Sequence, residues 1–352
     1  MKFRINILLI LGMILSDFLS AKSSEIVNIV NIQSNSINVE ITDKIKQYGD
    51  IIVVVRAKEQ TNIKPMNNKK YTISDKFLSD DSTGTTGNGN YILYKTDADR
   101  KILYTNLSPD KYYNLDIYQK VKSDYILHSE VSFTTLAEKP ARQTQKIMWS
   151  DQSSNSFRLF SNGGSGEKSL IVISKSINDF VPVSGIGYKS NPEFGKGMEV
   201  ADGVFAVLSY NDTSKSVLVT GLEPGIEYFV KSFDFNGKDK SCNYHTEVIP
   251  LRNGGKISTL FEVPKLTSVK ISGEKNISVE WIPIKGAKSY EIEVAFDSKF
   301  ITPDEMYGSI DVGVLSSYIL EDLAKNTEYF VRVRATGESG ASDYSNVLSI
   351  KL

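Results

Sequence analysis

One phrase occurs three times in this chain of 352 residues, and it constrains the fold more than any other feature. Each copy has a leucine, a tyrosine six residues later, and then alternating apolar residues. The copies are Leu107–Tyr113, Leu222–Tyr228 and Leu323–Tyr329. Alternation with a period of two is typical of half-buried strands. Because the three leucines stand 115 and 101 residues apart, the repeat predicts three consecutive β domains of roughly 100 residues each.

The first two segments share further landmarks, which indicates that they are duplicates. A proline, a tyrosine and a phenylalanine recur in both at intervals of six residues. These landmarks are Pro65, Tyr71 and Phe77 in one segment and Pro182, Tyr188 and Phe194 in the other. A continuous apolar run precedes each set, at Ile51–Val55 and Leu170–Ile173, and such runs are typical of buried strands. The third segment is shorter, and no segment has the pattern of a long amphipathic helix.

Two short segments that end in proline, Ala137–Pro140 and Phe261–Pro264, separate the three units. Proline restricts the backbone, so both linkers are expected to be stiff. We therefore expect domains at residues 25–137, 141–260 and 263–352, of which the first two carry long inserts.

The first 21 residues have the pattern of a secretory signal peptide. Lys2 and Arg4 precede an apolar run from Ile7 to Leu15, and small residues follow at Ser20 and Ala21. Nine apolar residues are too few to span a bilayer, which takes about 20. The sequence therefore predicts a protein that is secreted or held at the cell surface, with the periplasm as a further possibility and no transmembrane segment.

These residues resemble the fibronectin type III module, an immunoglobulin-like β-sandwich. The resemblance is carried by the leucine–tyrosine phrase that leads into an alternating strand, with Trp281 upstream in the last domain. It implies an all-β chain of three tandem sandwiches. It also implies that each tyrosine forms a tyrosine corner, in which its hydroxyl bonds to nearby backbone and the leucine packs beside it. The corner residues would be Tyr113, Tyr228 and Tyr329, with Leu107, Leu222 and Leu323.

Domains one and two depart from a plain module by inserts of some 25–30 residues. The phrase of domain two resembles a variant found in secreted multidomain proteins of Gram-negative bacteria; it runs Pro192-Glu-Phe-Gly-Lys-Gly197, then Asp202-Gly, Asn236-Gly and Asn243-Tyr-His-Thr246. The strand after Tyr228 directs Phe233 and Phe235 outward, and exposed aromatic patches are unusual on monomers. We therefore expect the insert to fold over this face, with Tyr188 and Phe194 covering both rings. A partner-binding patch is the alternative.

Alternation in the third domain places charges on the outer face of two strands, and the resemblance to the fibronectin type III module implies that these strands are neighbours. Glu291 and Glu293 lie on one strand, and Arg332 and Arg334 lie on the other. Opposite charges on adjacent strands attract, so we expect cross-strand pairs. A binding face is the alternative.

Motifs for chemistry are lacking. The charges balance at 41 basic and 42 acidic residues, which argues against a nucleic-acid partner. His128 and His245 have no partners at metal-ligand spacing, and Cys242 is the one cysteine. The glycines at 163–166 are followed by Glu167 where a phosphate loop requires glycine, so we interpret them as a hairpin turn. We expect no enzyme activity, no catalytic residue, no cofactor and no metal.

The predicted function is therefore contact without catalysis. The leading hypothesis is an exported protein whose modules serve adhesion, docking or spacing, with binding through loops at the domain ends. Its partner would be a protein or a cell-surface glycan. The alternative is a carbohydrate-binding accessory component for polysaccharide handling, in which Tyr71, Tyr188 or Phe194 contacts a sugar ring.

Overall fold

The computed structural model describes residues 24–210, 212, 214–247, 254–338 and 340–352. The predicted signal peptide, residues 1–21, lies outside the described residues. The described chain is all β, with six antiparallel sheets and three 3-10 turns at Asp43–Gln47, Ser82–Gly84 and Asp239–Ser241. Across these described ranges, no helix is long and apolar enough to cross a membrane.

Domain one pairs a three-stranded sheet with a five-stranded sheet. Its strands are β1 (Val27–Ile32), β2 (Ile37–Ile41), β3 (Ile51–Ala57), β4 (Thr85–Gly87), β5 (Asn90–Lys95), β6 (Lys101–Tyr104), β7 (Tyr112–Val121) and β8 (Asp124–Thr134). The small sheet has the order β1-β2-β6, and the large sheet has the order β4-β5-β3-β7-β8. The insert, residues 58–84, connects β3 to β4.

Domain two repeats this arrangement. Its strands are β9 (Lys146–Ser150), β10 (Phe157–Asn162), β11 (Lys168–Ser174), β12 (Glu199–Ala201), β13 (Val204–Leu208), β14 (Ser216–Val219), β15 (Glu227–Asn236), β16 (Asn243–Tyr244) and β17 (Gly254–Ser258). The small sheet is β14-β10-β9, and the large sheet runs β12-β13-β11-β15, with β16 and β17 both paired to β15. The insert, residues 175–198, again follows the central strand.

Domain three has the same frame without a long insert. Its strands are β18 (Lys265–Gly273), β19 (Asn276–Ile282), β20 (Ser289–Ala295), β21 (Ile310–Asp311), β22 (Ser317–Leu320), β23 (Glu328–Gly337), β24 (Gly340–Ala341) and β25 (Leu348–Lys351). The small sheet is β18-β19-β22. The large sheet is β21-β20-β23, with β24 and β25 paired to β23.

Each pair of sheets encloses a core of its own. Alternate residues of each strand point into it, as period-two patterning requires. The central strands β3 and β11 are an exception, because they are buried on both faces over nearly their whole length. The inserts cover the outer face of these strands, which explains why their sequences are continuously apolar.

Candidate interaction surfaces and module junctions

A tyrosine at the start of each of the long strands β7, β15 and β23 anchors the turn before that strand. The hydroxyl of Tyr113 accepts a hydrogen bond from the backbone N–H of Ser108 at 2.9 Å. Glu223 donates to Tyr228 at 2.9 Å, and Ala324 donates to Tyr329 at 2.8 Å. This is the geometry of a tyrosine corner. The leucines six residues upstream, Leu107, Leu222 and Leu323, are buried in the same cores.

The inserts contain a second tyrosine with the same local hydrogen bond. The hydroxyl of Tyr71 accepts from the N–H of Met66 at 2.8 Å, and that of Tyr188 accepts from Val183 at 3.0 Å. Only 7% of Tyr71 and 5% of Tyr188 is exposed. Both rings are therefore structural, and neither presents the open face that stacking on a sugar requires.

Phe194 lies at the edge of the sandwich, so the prediction that it covers Phe233 and Phe235 is wrong. Its ring centroid is 5.3 Å from those of Tyr228 and Phe205, and its N–H donates to the carbonyl of Thr220 at 2.9 Å. The insert leaves the outer face and crosses the edge, where this half-buried ring packs on the corner tyrosine. Phe194 is therefore not an open contact for a sugar ring.

Domain one closes the same edge in the same way. Phe77 packs on Tyr113 at 5.2 Å and on Tyr91 at 5.0 Å, and its N–H donates to the carbonyl of Thr105 at 2.9 Å. The edge closure is therefore common to both duplicated domains.

The outer face of domain two is covered, as predicted for Tyr188. Phe233 and Phe235 are fully buried in a cluster with Tyr188, Tyr244 and Cys242. The sequence did not predict that Tyr244 and Cys242 also cover these rings. Both residues lie in the connection between β15 and β17. Burial raises the pKa of the Cys242 thiol to about 11, so this cysteine is a poor nucleophile at neutral pH.

Domain one buries an ion network under its insert. Arg56 Nε lies 2.6 Å from Asp116 Oδ2, and Arg56 Nη2 lies 2.8 Å from Glu130 Oε2. Asp116 is fully buried and Arg56 is 7% exposed. Burial raises the pKa of Asp116, and the Arg56 guanidinium opposes that shift. Sequence reasoning missed this network, although Arg56 interrupts an otherwise apolar strand.

The cross-strand charge pairs predicted for domain three are present. Arg332 lies 2.7 Å from Glu293, and Arg334 lies 2.8 Å from Glu291. The ring of Tyr344 lies over both guanidinium groups, at 3.9 and 4.7 Å from its centroid. Because these groups are paired with one another, the face has little charge left for a partner.

The glycine-rich segment after β10 packs on a buried carboxylate. β10 and β11 belong to different sheets, so the prediction of a hairpin turn is wrong. A Cβ on Gly164 would fall 1.2 Å from an oxygen of Asp234, which explains the glycine there. Asp234 also accepts hydrogen bonds from Ser169 at 2.8 Å and Thr144 at 3.1 Å. The segment therefore serves packing.

Both linkers leave their domains through the same hydrogen bonds. Thr135 Oγ1 accepts from the N–H of Lys111 at 2.9 Å, and Thr259 Oγ1 accepts from Ile226 at 3.1 Å. The next residue, Leu136 or Leu260, bonds back through both its N–H and its carbonyl. Each linker is thus fixed to the domain that it leaves.

Phe261 then joins domain two to domain three. It is 3% exposed and belongs to the core of domain three. A Cβ on Gly225 of domain two would lie 2.4 Å from its ring, and a Cβ on Gly337 of domain three would lie 2.7 Å from it. A Cβ on Gly286 of domain three would lie 3.9 Å from the same ring. Phe261 therefore fills a socket that is lined by glycines of both domains.

The junction between domains one and two is made by hydrogen bonds to the backbone of the linker. Ala137 N–H donates to the carbonyl of Ser241 at 2.8 Å, and Asn243 Nδ2 donates to the carbonyl of Ala137 at 2.8 Å. Asn236 Nδ2 donates to the carbonyl of Glu138 at 2.8 Å. Domain two therefore clamps the linker with the connection that follows β15.

Sequence reasoning treated both linkers as short spacers and missed their role as clamps. A shared phrase marks them: Thr135-Leu136 and Thr259-Leu260 are each followed by one residue, a glutamate, one more residue and a proline. The variable residue after the leucine is Ala137 or Phe261, which is the residue at the centre of each junction.

Within the described ranges, no group of three or more histidine, cysteine, aspartate or glutamate side chains is placed to hold a metal ion. His245 is half-buried, and its Nδ1 has no hydrogen-bond partner among the described residues.

Three paired-sheet units with tyrosine corners define a chain of tandem immunoglobulin-like modules. The family model of the Fibronectin type III domain matches residues 262–351. That region belongs to this family, and the two preceding units have the same paired-sheet frame.

The chain is also similar to fibronectin type III domain-containing protein 7. The human protein is 27% identical over 156 residues, which cover 43% of this chain and 19% of the relative, and the mouse protein is 26% identical over 156 residues, with 43% and 18% covered. The chain thus matches less than a fifth of the length of these relatives.

Solved structures of fibronectin modules are also similar. The FN1–FN3 domains of chicken CNTN1 are 16% identical and match 92% of this chain and 96% of theirs, with a TM-score of 0.29. A two-domain segment of chicken tenascin is 16% identical and matches 60% of this chain and 99% of its own, with a TM-score of 0.37.

Proposed function

We propose that this chain is an exported, non-catalytic array of three protein-interaction modules, at residues 25–137, 141–260 and 263–352. Fibronectin type III domains are commonly adhesion or interaction modules. In rigid sandwiches, partners bind at the loops and the outer faces. These three domains differ from one another in the same regions.

The clamped junctions are the observation that carries this proposal. Flexible linkers leave modules free to reorient. Here, Phe261 fills a socket between two domains, and Ala137 is hydrogen-bonded through its N–H and its carbonyl to domain two. A fixed arrangement benefits a protein that binds at more than one point, because it holds the second contact at a high effective concentration.

The carbohydrate-binding alternative has less support. It relied on three aromatic residues, of which Tyr71 and Tyr188 are buried and Phe194 packs at a sandwich edge. A protein partner at the cell surface is therefore our proposal.

The test measures retention of the labelled full-length chain on intact cells of the organism that encodes it. Cells are treated beforehand with protease or with periodate, which oxidises sugars. We expect protease to abolish retention and periodate to leave it unchanged. Retention that only periodate removes would contradict the proposal in favour of a glycan partner. The absence of retention on untreated cells would contradict docking altogether.

A further inference from the structure

Domain one has a groove of about 430 Å³ between its insert and the end of its large sheet. It is lined by Tyr71 and Thr72 of the insert, by Asp50–Ile52, by Lys95–Thr96 and by Tyr125. Lys69 and Lys70 stand at the rim. None of the sites described above uses this groove.

The duplicated domain fills the corresponding space with its own chain. Tyr125 pairs with Lys120 in β7, and Tyr244 pairs with Phe235 in β15. Lys120 and Phe235 are both seven residues beyond the corner tyrosine, so Tyr125 and Tyr244 are equivalent. In domain two, Tyr244 belongs to the segment 237–244, and its side chain and that of Cys242 are buried against the insert. Domain one has only the short turn between β7 and β8 at this place.

Residues that fill the space in domain two are smaller or charged in domain one. In domain two, Tyr210 packs against Gly187 of the insert. The strand registers show that the residue of domain one equivalent to Tyr210 is Thr96. When the two inserts are aligned on Tyr71 and Tyr188, Lys69 is equivalent to Ile186 and Lys70 is equivalent to Gly187. The groove of domain one is therefore open, whereas the equivalent site of domain two is occupied by that domain's own segment 237–244.

The groove is also positively charged. Lys69, Lys70 and Lys95 line it, and within the described ranges none of the three forms a salt bridge. The one lining carboxylate, Asp50, lies 4.0 Å from Lys120. Charge complementarity favours an acidic ligand.

We propose that this groove binds an extended peptide of a partner protein, with an aromatic side chain flanked by acidic residues. The aromatic ring would take the space that Tyr210 fills in domain two, and the carboxylates would meet the three lysines. A sugar is disfavoured because the Lys69 ammonium covers the Tyr71 ring at 5.1 Å. This inference rests on the proposed function, because it takes the partner to be a protein.

The test uses fluorescence anisotropy with the full-length chain and a labelled heptapeptide that has one tyrosine between two runs of three aspartates. We expect binding that weakens at least tenfold in Lys70→Glu, which reverses a rim charge. Thr96→Tyr, which restores the filling residue of domain two, should weaken it to a similar extent. Lys270→Glu, an exposed charge reversal in domain three, should leave it unchanged. Peptides with serine for tyrosine, or with asparagine for aspartate, should each bind at least tenfold more weakly.

Three results would overturn the groove assignment: no binding by the wild type, equal binding by Lys70→Glu and the wild type, or displacement of the peptide by an oligouronate at lower concentration than by unlabelled peptide. The cell assay separates this failure from failure of the proposed function. Protease-sensitive retention that Lys70→Glu does not reduce rejects the groove and supports a protein partner elsewhere on the chain. Retention that only periodate removes rejects both.

Discussion

Replacing Phe261 by alanine is expected to destabilise domain three by about 3–5 kcal/mol, the usual cost of truncating a fully buried phenylalanine. The ring is 3% exposed and packs close to the backbone at Gly225, Gly286 and Gly337, so backbone would have to move to close the cavity. The chain has two tryptophans, of which Trp281 lies in the core of domain three. Urea unfolding followed by Trp281 fluorescence, in a Trp149→Phe background, measures the change.

Phe296→Ala is the matched control. Phe296 is 44% exposed, so its truncation in the same domain should cost much less. An equal loss from both variants would contradict the special role of Phe261, and so would a loss below about 1 kcal/mol for Phe261→Ala.

Replacing Arg56 by alanine is expected to destabilise domain one by about 3–5 kcal/mol, because it leaves the buried carboxylate of Asp116 without its counter-ion. The double variant Arg56→Met with Asp116→Leu should recover most of the loss, since an apolar pair carries no desolvation penalty. Domain one has no tryptophan. Hydrogen exchange of β3 and β7 amides in increasing urea therefore supplies the measurement.

Arg158→Ala provides the surface comparison. Arg158 pairs with Asp151 at 2.7 Å, but the side chain of Asp151 is 58% exposed. Exposed pairs contribute about 0–1 kcal/mol. The account of the buried network fails if Arg56→Ala costs no more than this control, or if the double variant is less stable than Arg56→Ala.

The direction of side chains on the regular strands was predictable because the alternation of apolar and polar residues is a local feature of the sequence. Alternation placed the corner tyrosines in the cores, and it placed Glu291 and Arg334 on the outer face, where the strand register brings them together. Alternation gives the direction of these side chains, and the resemblance to the fibronectin type III module supplied the tyrosine corners and the adjacency of the two charged strands.

The inserts were less predictable because irregular segments have no period. Nothing in the spacing of Tyr188 and Phe194 shows that the chain crosses the sandwich edge between them. The partner of Arg56 is also distant, since Asp116 lies 60 residues further along the chain. Contacts of this kind depend on the path of the chain in space.

The junctions lie between these extremes. The prolines at 140 and 264 marked stiff linkers, but the socket of Phe261 is built from Gly225, Gly286 and Gly337, which are far apart in the sequence. The repeated threonine–leucine phrase was visible in the sequence. Its meaning required the hydrogen bonds of Thr135 and Thr259.

Pulsed electron paramagnetic resonance across each junction tests the fixed arrangement most directly. Spin labels at Lys101→Cys with Asp202→Cys span the first junction, and labels at Asp202→Cys with Lys270→Cys span the second. The native Cys242 is fully buried, so the introduced thiols are the ones that react. We predict one narrow distance distribution for each pair, and Phe261→Ala should broaden only the second. Broad distributions in the otherwise native chain would contradict the clamped junctions and the proposal based on them.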